Sequence, residues 1–451
     1  MDHNSIYHGF NKPNDANKFL EEFVSEVIYL TQHGLSFKER KYSFKVKGFI
    51  CDVPAKCFIL YTKGHSGYYS CTKCDVEGHY SNGRVCFPHS NFRLRTDNSF
   101  RQKSQEEHHT GSSILETIPG PNMVNDFALD PMHLLYLGVV KKLITLWCFG
   151  KPPSKLSAFQ INLISDKLLS IKSDIPCEFN RKPRSLNDNK RWKATEFRQF
   201  ILYTGPVVLQ SVLKKDVYLN FLSLHIALTI LSNDKLHKSY IEYAHSLLEY
   251  FVNGFIILYG EESVSHNVHN LLHLYAMIQN ISEVWKNISL LKLIHKKEKP
   301  LEQIILRKIE MDKVFYNKPS KPSDKPQFSQ EHSDGPTHNF TCSLQFQKVV
   351  FSKFTLKISE PDNCYRLTDG SIILIKNFVV INEKRYVLGS KINNVQDFYT
   401  KPCPSSHFGI YSFYLRDIVD ALKKWDVDEI DIKYTKIKLD DMFILFPLLH
   451  M

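Results

Sequence analysis

Residues 49–74, FICDVPAKCFILYTKGHSGYYSCTKC, contain the pattern that decides the fold. The chain alternates between polar and apolar residues and then becomes continuously apolar up to Asp52, which predicts a buried strand that ends there. Nineteen residues later, Cys71 and Cys74 form a CxxC pair, and two thiolates at this spacing can bind one tetrahedral ion. Alone, Asp52 is an ordinary turn former, and the cysteine pair is half of a metal site or a redox pair.

Two pairs of residues compete to complete a metal site with these cysteines. Cys86 and His89 repeat the two-residue gap close by and would close a compact four-ligand finger. His269 and His273 are four residues apart, so on a helix they share one face and both reach one ion, with His266 as a further candidate. The spacing leaves the choice open, because such histidines also occur as a polar stripe on a core helix.

The segment that contains Cys71, Cys74 and Cys86 needs an additional constraint in order to fold. Residues 64–90 are rich in Gly, Tyr, Ser, Asn, His and Cys and hold little apolar core material. A bound metal would supply the missing constraint.

An aspartate and a histidine stand where a strongly apolar helix begins, in NDFALDPMHLLYLGVV, residues 125–140. Asp130 and His133 form a DxxH element there. An aspartate at this position caps the free amides of the first helical turn, and the residues alone favour that role.

Periodicity along the chain predicts a helical block and a β block. Residues 14–31 place apolar side chains three and four apart behind an Asn/Asp cap signal, which predicts an amphipathic helix. Helical patterns dominate from residue 132 to about 260. A basic stretch with several prolines indicates a linker near 315–336, and short apolar runs between turn signals from about residue 340 predict a small β domain.

Composition restricts the class of protein. A length of 451 residues, of which 43% are hydrophobic, suffices for two or three domains. No stretch approaches the roughly 20 unbroken apolar residues of a bilayer span, and the first residues do not resemble a secretion signal. We therefore expect a soluble protein of the nucleus or cytoplasm, neither secreted nor in a membrane, whose ten cysteines are reduced apart from metal ligands.

The order of these elements resembles the CACTA-type, or CMC, superfamily of DDE transposases, to which the transposon-derived immune recombinase is related. The resemblance covers nearly the whole chain. It rests on FICDVPAKCFIL, GHSGYYSCTKC with RVCFP, NDFALDPMHLLYLGVVKKL, RWKATEFRQFILYTGPVVL, LYGEESVSHNVHNLLHL, KPLEQI and the ending FPLLH.

The resemblance implies an α+β or α/β fold with an incomplete RNase H-like core, split by an all-α insertion and stapled by zinc. Asp52 takes the second position of the DDE triad, and Asp130 with His133 precedes the insertion. The implied parts are a first core segment at 1–133 with the CxxC knuckle, a helical insertion at 134–255, a second core segment at 256–314 with the zinc histidines, a linker at 315–340 and a β-rich domain at 341–451.

The resemblance also bears on cofactors. It assigns the remaining zinc ligands to His269 and His273 in preference to Cys86 and His89, so zinc has a structural role. Intact relatives hold two Mg²⁺ ions about 4 Å apart with three carboxylates and transfer a DNA phosphoryl group.

The chain departs from the family at two of the three catalytic carboxylates. Before residue 52 the only aspartates are Asp2 and Asp15, and neither follows a predicted strand. Glu283 is the only acidic residue between His273 and His295, and the residues around it do not match the family's final glutamate, so it is a weak candidate.

We therefore expect a domesticated or decaying transposase-like protein without catalytic activity that keeps DNA as a partner. The formal charge of +11 favours partners that carry phosphate, and the basic residues of RWKATEFRQF and KKEKP are the first places to look for contacts. Two alternatives stay open: an Mg²⁺-dependent transposase or nuclease whose missing carboxylates are supplied, and a zinc-stabilised module that binds a host protein or a second copy of the chain.

Overall fold

The computed structural model describes residues 13–37, 40–275, 326–337 and 341–449. The chain divides into two compact units, and each unit is built from two separate chain segments. Met1–Val139 and Val252–Lys321 form the first, called here the knuckle unit, and Val140–Phe251 and Pro322–Met451 form the second, called the sheet unit.

The first helix follows directly from its caps. α1 covers Ala16–His33, and the Asp15 carboxylate accepts a hydrogen bond from the amide of Lys18 as its N-cap. The helix ends at Gly34, whose φ of 69° is in the left-handed region and whose hydrogen atom leaves room for the carbonyl oxygen of Tyr42. The helix predicted for residues 14–31 is confirmed.

The strands of the knuckle unit form small, separate sheets. β1 (Leu35–Phe37) pairs with β2 (Arg40–Tyr42), β3 (Phe49–Ile50) precedes α2 (Val53–Leu60), β4 (His79–Ser81) pairs with β5 (Arg84–Cys86), and α3 (Asp97–Arg101) leads to β6 (Phe127–Ala128). β3 and β6 run parallel, and the rings of Phe49 and Phe127 stack 4.5 Å apart between them. The described residues of this unit thus show a two-stranded parallel pair and no larger sheet.

The middle of the chain is helical, as predicted from residue 132 onwards. A π-helical segment, Met132–Val140, continues into α4 (Lys141–Phe149); after it come α5 (Ala158–Ser170), α6 (Ala194–Gln199), α7 (Gly205–Leu209), α8 (Lys215–Leu231), α9 (Asp234–Tyr259, kinked at Tyr240) and α10 (His266–Asn270). Where the chain is described, Met132–Phe149 is the one helix with the length and hydropathy of a membrane span. Its Trp147 is fully buried and packs on Phe221, as in a helix of a protein core.

The C-terminal part forms one antiparallel sheet of eleven strands. They are β7 (Gln327–His332), β8 (Leu344–Val350), β9 (Thr355–Lys357), β10 (Cys364–Leu367), β11 (Ile372–Ile381), β12 (Lys384–Ile392), β13 (Gln396–Asp397), β14 (Tyr411–Tyr414), β15 (Lys423–Asp426), β16 (Ile430–Leu439) and β17 (Met442–Pro447). The main path runs β13-β14-β17-β16-β10-β11-β12-β15, and β8 joins β11 to β7 and β9. The prediction of a C-terminal β domain is confirmed.

One strand lies where the sequence predicts a linker. β7 falls within 315–340, where the mixed polarity of QFSQEH gives no strand pattern. It pairs with β8, and Phe328 packs against the sheet core under the guanidinium of Arg385, 4.8 Å from the ring centroid. The prolines just before β7 give residues 315–340 the amino-acid composition of a linker.

Candidate metal centre

The two cysteines are held in a tight turn that a neighbouring segment fixes. The amide of Lys73 donates to the Cys71 sulfur at 3.4 Å, as in metal-binding knuckles whose backbone wraps the ion. Arg95 binds the turn twice, through its amide to the carbonyl of Lys73 at 2.9 Å and through its Nε to the carbonyl of Cys71 at 3.0 Å. Hydrogen bonds from Arg95 therefore fix the turn together with the contact between the Lys73 amide and the Cys71 sulfur.

The two histidines come from a helix that the knuckle segment binds directly. α10 and the 3₁₀ turn after it place His269 and His273 one turn apart. The amide of Phe87, just after β5, donates to the carbonyl of Val264 at 2.8 Å and so anchors the start of α10. On another side of α10, Gly138 allows the Met132–Val140 helix to approach α10 closely. A β-carbon at residue 138 would lie 2.4 Å from the side-chain amide nitrogen of Asn267.

Four donor atoms converge in the interior of the knuckle unit. Cys71, Cys74 and His269 are fully buried and His273 is 3% exposed, and their ligand atoms all lie within 4.8 Å of one another. The Nε2 of His269 is 3.2 Å from the Cys74 sulfur and 3.2 Å from the Nε2 of His273, which lies 3.5 Å from the Cys71 sulfur. These four residues could hold one metal ion.

The charges of the two thiols differ in a way that favours a cation between them. Burial opposes ionisation of Cys71, but the Cys74 thiol and the two histidines outweigh it and lower the pKa of Cys71 well below its usual value. Burial and the neighbouring Cys71 thiolate raise the pKa of Cys74. The first thiolate therefore forms readily, whereas the second needs a positive charge beside it.

An aromatic shell closes the site against water. The ring of Phe92 lies edge-on to both His269 and His273, with centroids 5.3 and 5.1 Å apart, and Phe87 packs on His269 at 5.9 Å. The Nδ1 of His269 is buried without a hydrogen-bond partner among the described residues. The imidazole is therefore held by packing, and its orientation leaves Nε2 facing the other three donors.

The alternative ligands lie apart from this group. Cys86 contacts His79 across the β4–β5 hairpin, with 3.3 Å between the sulfur and Nε2, and His89 is exposed. His266 is buried, but its Nε2 lies 3.3 Å from the carbonyl of Ser70, and burial lowers its pKa to about 4. The structure thus brings the cysteine pair together with the distant histidines and not with Cys86 and His89.

Asp52 and Asp130 occupy equivalent places after the two parallel strands, two residues beyond β3 and β6. Asp52 caps α2 and accepts a hydrogen bond from the amide of Ala55 at 2.8 Å. Asp130 accepts from the amide of Met132 at 2.8 Å and binds the Nδ1 of His133. The capping role expected of Asp130 is confirmed, and the structure adds the hydrogen bond between Asp130 and His133.

The described residues give no third carboxylate to this pair. Asp15 is used as the cap of α1 and also accepts from the hydroxyl of Tyr61 at 3.0 Å. Glu283 and Asp2 lie outside the described residues. Within the described ranges, neither Asp52 nor Asp130 belongs to a group of three metal-binding side chains.

The comparisons with known proteins concern the sheet unit alone. Residues 331–448 match a domain of unknown function, DUF8592. No curated protein and no solved structure matches the chain. The matched range contains most of the β domain and excludes the four-residue metal centre, so the site must be interpreted from its own chemistry.

A second group of donors, within the sheet unit, already contains its cation. Cys177, Glu178 and Asp362 come together, yet the fully buried ammonium of Lys433 lies 2.8 Å from the Glu178 carboxylate and 2.6 Å from that of Asp362. Lys357 adds a second ion pair to Asp362 at 3.0 Å. Two ammonium groups balance two carboxylates, so this cluster is a structural ion-pair network, and no sequence pattern indicates it.

A buried lysine joins the knuckle to the strand that precedes Asp130. Lys73 is 7% exposed, and its ammonium donates to the carbonyls of Val124 and Phe127, the latter at 2.8 Å. Desolvation lowers the pKa of Lys73 to about 7. The residue between the two cysteines thus binds β6 as well as shaping the turn.

We expect Lys73→Met to destabilise the knuckle unit by about 1–3 kcal/mol, because two buried carbonyls lose their donor. Hydrogen exchange of peptides from residues 64–95 at increasing denaturant concentration measures this change. Lys63→Met, which removes an exposed ammonium nearby, is the matched control and should be neutral. Equal stability of the two variants would show that the hydrogen bonds of Lys73 contribute nothing.

Proposed function

We propose that this protein is a transposon-derived, DDE transposase-like protein with an RNase H-like core that zinc stabilises and that does not cut DNA. One observation carries the proposal. A strand-end aspartate, a CxxC knuckle and a distant histidine pair occur in the order that the resemblance implies, and the knuckle and the histidines meet in one buried group. The parallel pairing of β3 and β6, each followed by an aspartate, agrees with it.

Zinc is the ion that best suits the four donors. Two thiolates and two imidazoles are the ligand set of structural zinc sites, with Zn–S of about 2.3 Å and Zn–N of about 2.0 Å. A tetrahedron with those bonds has S···N and N···N edges of about 3.3–3.6 Å, close to the 3.2–3.5 Å between the donor atoms here. All four positions are filled by protein, so the metal would join residues 71–74 to residues 269–273 without performing chemistry.

Among the residues that the structure describes, the carboxylates do not fit a pair of magnesium ions. Two-metal phosphoryl transfer needs carboxylates free to bridge and flank both ions, whereas Asp52 and Asp130 each bind backbone amides, and Asp130 also binds His133. Lys56 is 2% exposed, and burial lowers its pKa, although the neighbouring cysteines and Asp130 oppose that shift. No catalytic step is therefore assigned to these residues.

We expect the purified chain to leave DNA uncut in the presence of Mg²⁺ or Mn²⁺. The assay compares supercoiled plasmid and labelled hairpin DNA incubated with the wild-type chain and with Asp52→Asn. Equal background for both is the expected result. Cleavage by the wild-type chain that Asp52→Asn abolishes would establish an active nuclease and overturn the proposal that the protein does not cut DNA.

The positive charge of the chain supports DNA as the partner, and on this proposal the protein acts in the nucleus. Phosphate contacts make such binding weaken steeply as salt rises. Filter binding at low salt tests it with duplex and single-stranded DNA. Retention of neither would favour the zinc-stabilised protein-interaction module instead.

A further inference from the structure

The loop that joins α4 to α5 has an exposed phenylalanine at each end. Phe149, the last residue of α4, is 55% exposed, and Phe159, in the first turn of α5, is 75% exposed. The amide of Leu156 donates to the carbonyl of Trp147 at 2.8 Å and closes the loop, which brings its two ends together. Large aromatic side chains left in water at both ends of one loop are typical of a contact surface.

The same loop is basic. Lys151 and Lys155 are exposed, and the amide of Lys155 donates to the carbonyl of Lys151 at 3.2 Å, so a turn brings the two residues together. The chain has no acidic residue between Asp130 and Asp166. Positive charge in this loop is therefore not balanced by any neighbour in sequence.

A second basic segment lies against the first phenylalanine. The ammonium of Lys190 is 5.1 Å from the centroid of the Phe149 ring, and Arg191 follows it; both are exposed. In the ranges that the structure describes, none of Lys151, Lys155, Lys190 and Arg191 forms an ion pair. The loop of residues 149–159 with residues 190–191 is called here the basic aromatic surface.

We infer that the basic aromatic surface binds a single-stranded nucleic acid. Cations that are not paired with carboxylates attract the phosphates, and exposed rings stack on bases, which is how proteins bind unpaired strands without reading sequence. A duplex offers the phosphates but keeps its bases inside the stack. The inference rests on the proposed function, in which the partner is a nucleic acid. It adds two statements: the strand binds at the basic aromatic surface, and the bases of that strand are unpaired.

The test measures fluorescence anisotropy of a labelled mixed-sequence 20-nucleotide DNA and of the corresponding duplex, with the full-length chain. Phe149→Ala combined with Phe159→Ala should weaken binding of the single strand at least about tenfold, because neither ring can then stack on a base. Duplex binding should change little. Tyr250→Ala removes an equally exposed ring, 55%, on α9 and is the matched control.

Charge is tested separately on the same surface. Lys151→Gln with Lys155→Gln should weaken binding of both DNAs and reduce the slope of log affinity against log salt for the single strand by about 1.4, or 0.7 for each phosphate that is no longer neutralised. Circular dichroism of each variant checks that the fold is retained, which these exposed positions should allow.

The possible outcomes test the basic aromatic surface and the proposed function separately. Suppose that the wild-type chain binds the single strand and that the double phenylalanine variant binds it with the same affinity as Tyr250→Ala. That result would overturn the assignment of the surface and leave the proposed function standing. Equal weakening for single strand and duplex in the phenylalanine variant would overturn stacking. Absence of binding to either DNA by the wild-type chain would overturn both the surface and the nucleic-acid partner.

Discussion

Replacing Cys74 with serine is expected to release the metal and to unfold the knuckle region of residues 64–95. The apolar core of that region is small, since its buried cluster consists of Val76 and Phe87 beside the two cysteines. Structural zinc sites supply on the order of 10 kcal/mol of apparent folding free energy at neutral pH, which such a cluster cannot replace. Hydrogen exchange of peptides from 64–95 and 260–275 measures the effect, and both should lose protection together.

Cys86→Ser provides the matched control for this prediction. Cys86 is as buried as Cys74, and its sulfur contacts His79 in the β4–β5 hairpin rather than the metal centre. We expect that variant to keep its protection in both peptides. Full protection in Cys74→Ser would show that packing alone holds the knuckle and that the metal has no structural role.

Replacing Lys433 with methionine is the second large effect that we expect, this time in the sheet unit. The substitution keeps the length of the side chain but leaves the carboxylates of Glu178 and Asp362 without their shared ammonium. Breaking a buried ion pair from one side costs about 3–5 kcal/mol. Denaturant unfolding of the sheet unit measures it, with Lys423→Met, at an exposed position on β15, as the neutral control.

A compensating variant distinguishes this cause from a general packing defect. Adding Glu178→Gln and Asp362→Asn to Lys433→Met removes the unpaired charges, so most of the missing stability should return. If the triple variant is as unstable as Lys433→Met alone, the ammonium acts through its shape or through its hydrogen bond to the carbonyl of Thr355.

The same network predicts a pH dependence for the stability of the sheet unit. Burial by itself would raise the pKa of Asp362, but the Lys433 ammonium and the hydrogen bonds from Lys433, Cys177 and Lys357 outweigh it, so the pKa is lowered from 3.8. The folded state therefore binds this proton less readily than the unfolded state. Its stabilising contribution is fully present above a pH of about 4 and is lost as the pH falls through the lowered pKa. Acid titration of unfolding midpoints for wild type and Asp362→Asn would reveal it.

Local signals in the sequence account for the parts of the fold that local chemistry determines. The Asn/Asp cap signal and the apolar periodicity predict α1 to within two residues at each end. The turn signals and apolar runs beyond residue 340 predict the β domain. β7 escapes prediction because a strand of residues with mixed polarity is stabilised by its pairing with β8 and by the contact of Arg385 with Phe328, which no local pattern contains.

The metal centre was predictable in its parts but not in its assembly. The CxxC spacing indicates two ligands, and an i,i+4 histidine pair indicates two more. Spacing alone cannot rank His269 and His273 above Cys86 and His89, because the ranking depends on Phe87 anchoring Val264 and on Gly138 admitting α10. The buried network around Lys433 had no signal at all, since its members are isolated charges far apart in sequence.

The central claim is that Cys71, Cys74, His269 and His273 hold one zinc ion. Metal content of the purified chain by mass spectrometry, together with the absorption spectrum of the cobalt-substituted protein, tests it most directly. We predict about one zinc per chain and the spectrum of a tetrahedral site with two thiolates, both retained in Cys86→Ser and both absent in His273→Ala. Metal that survives in His273→Ala and disappears in Cys86→Ser would contradict the claim and move the ion to the local cysteine and histidine pair.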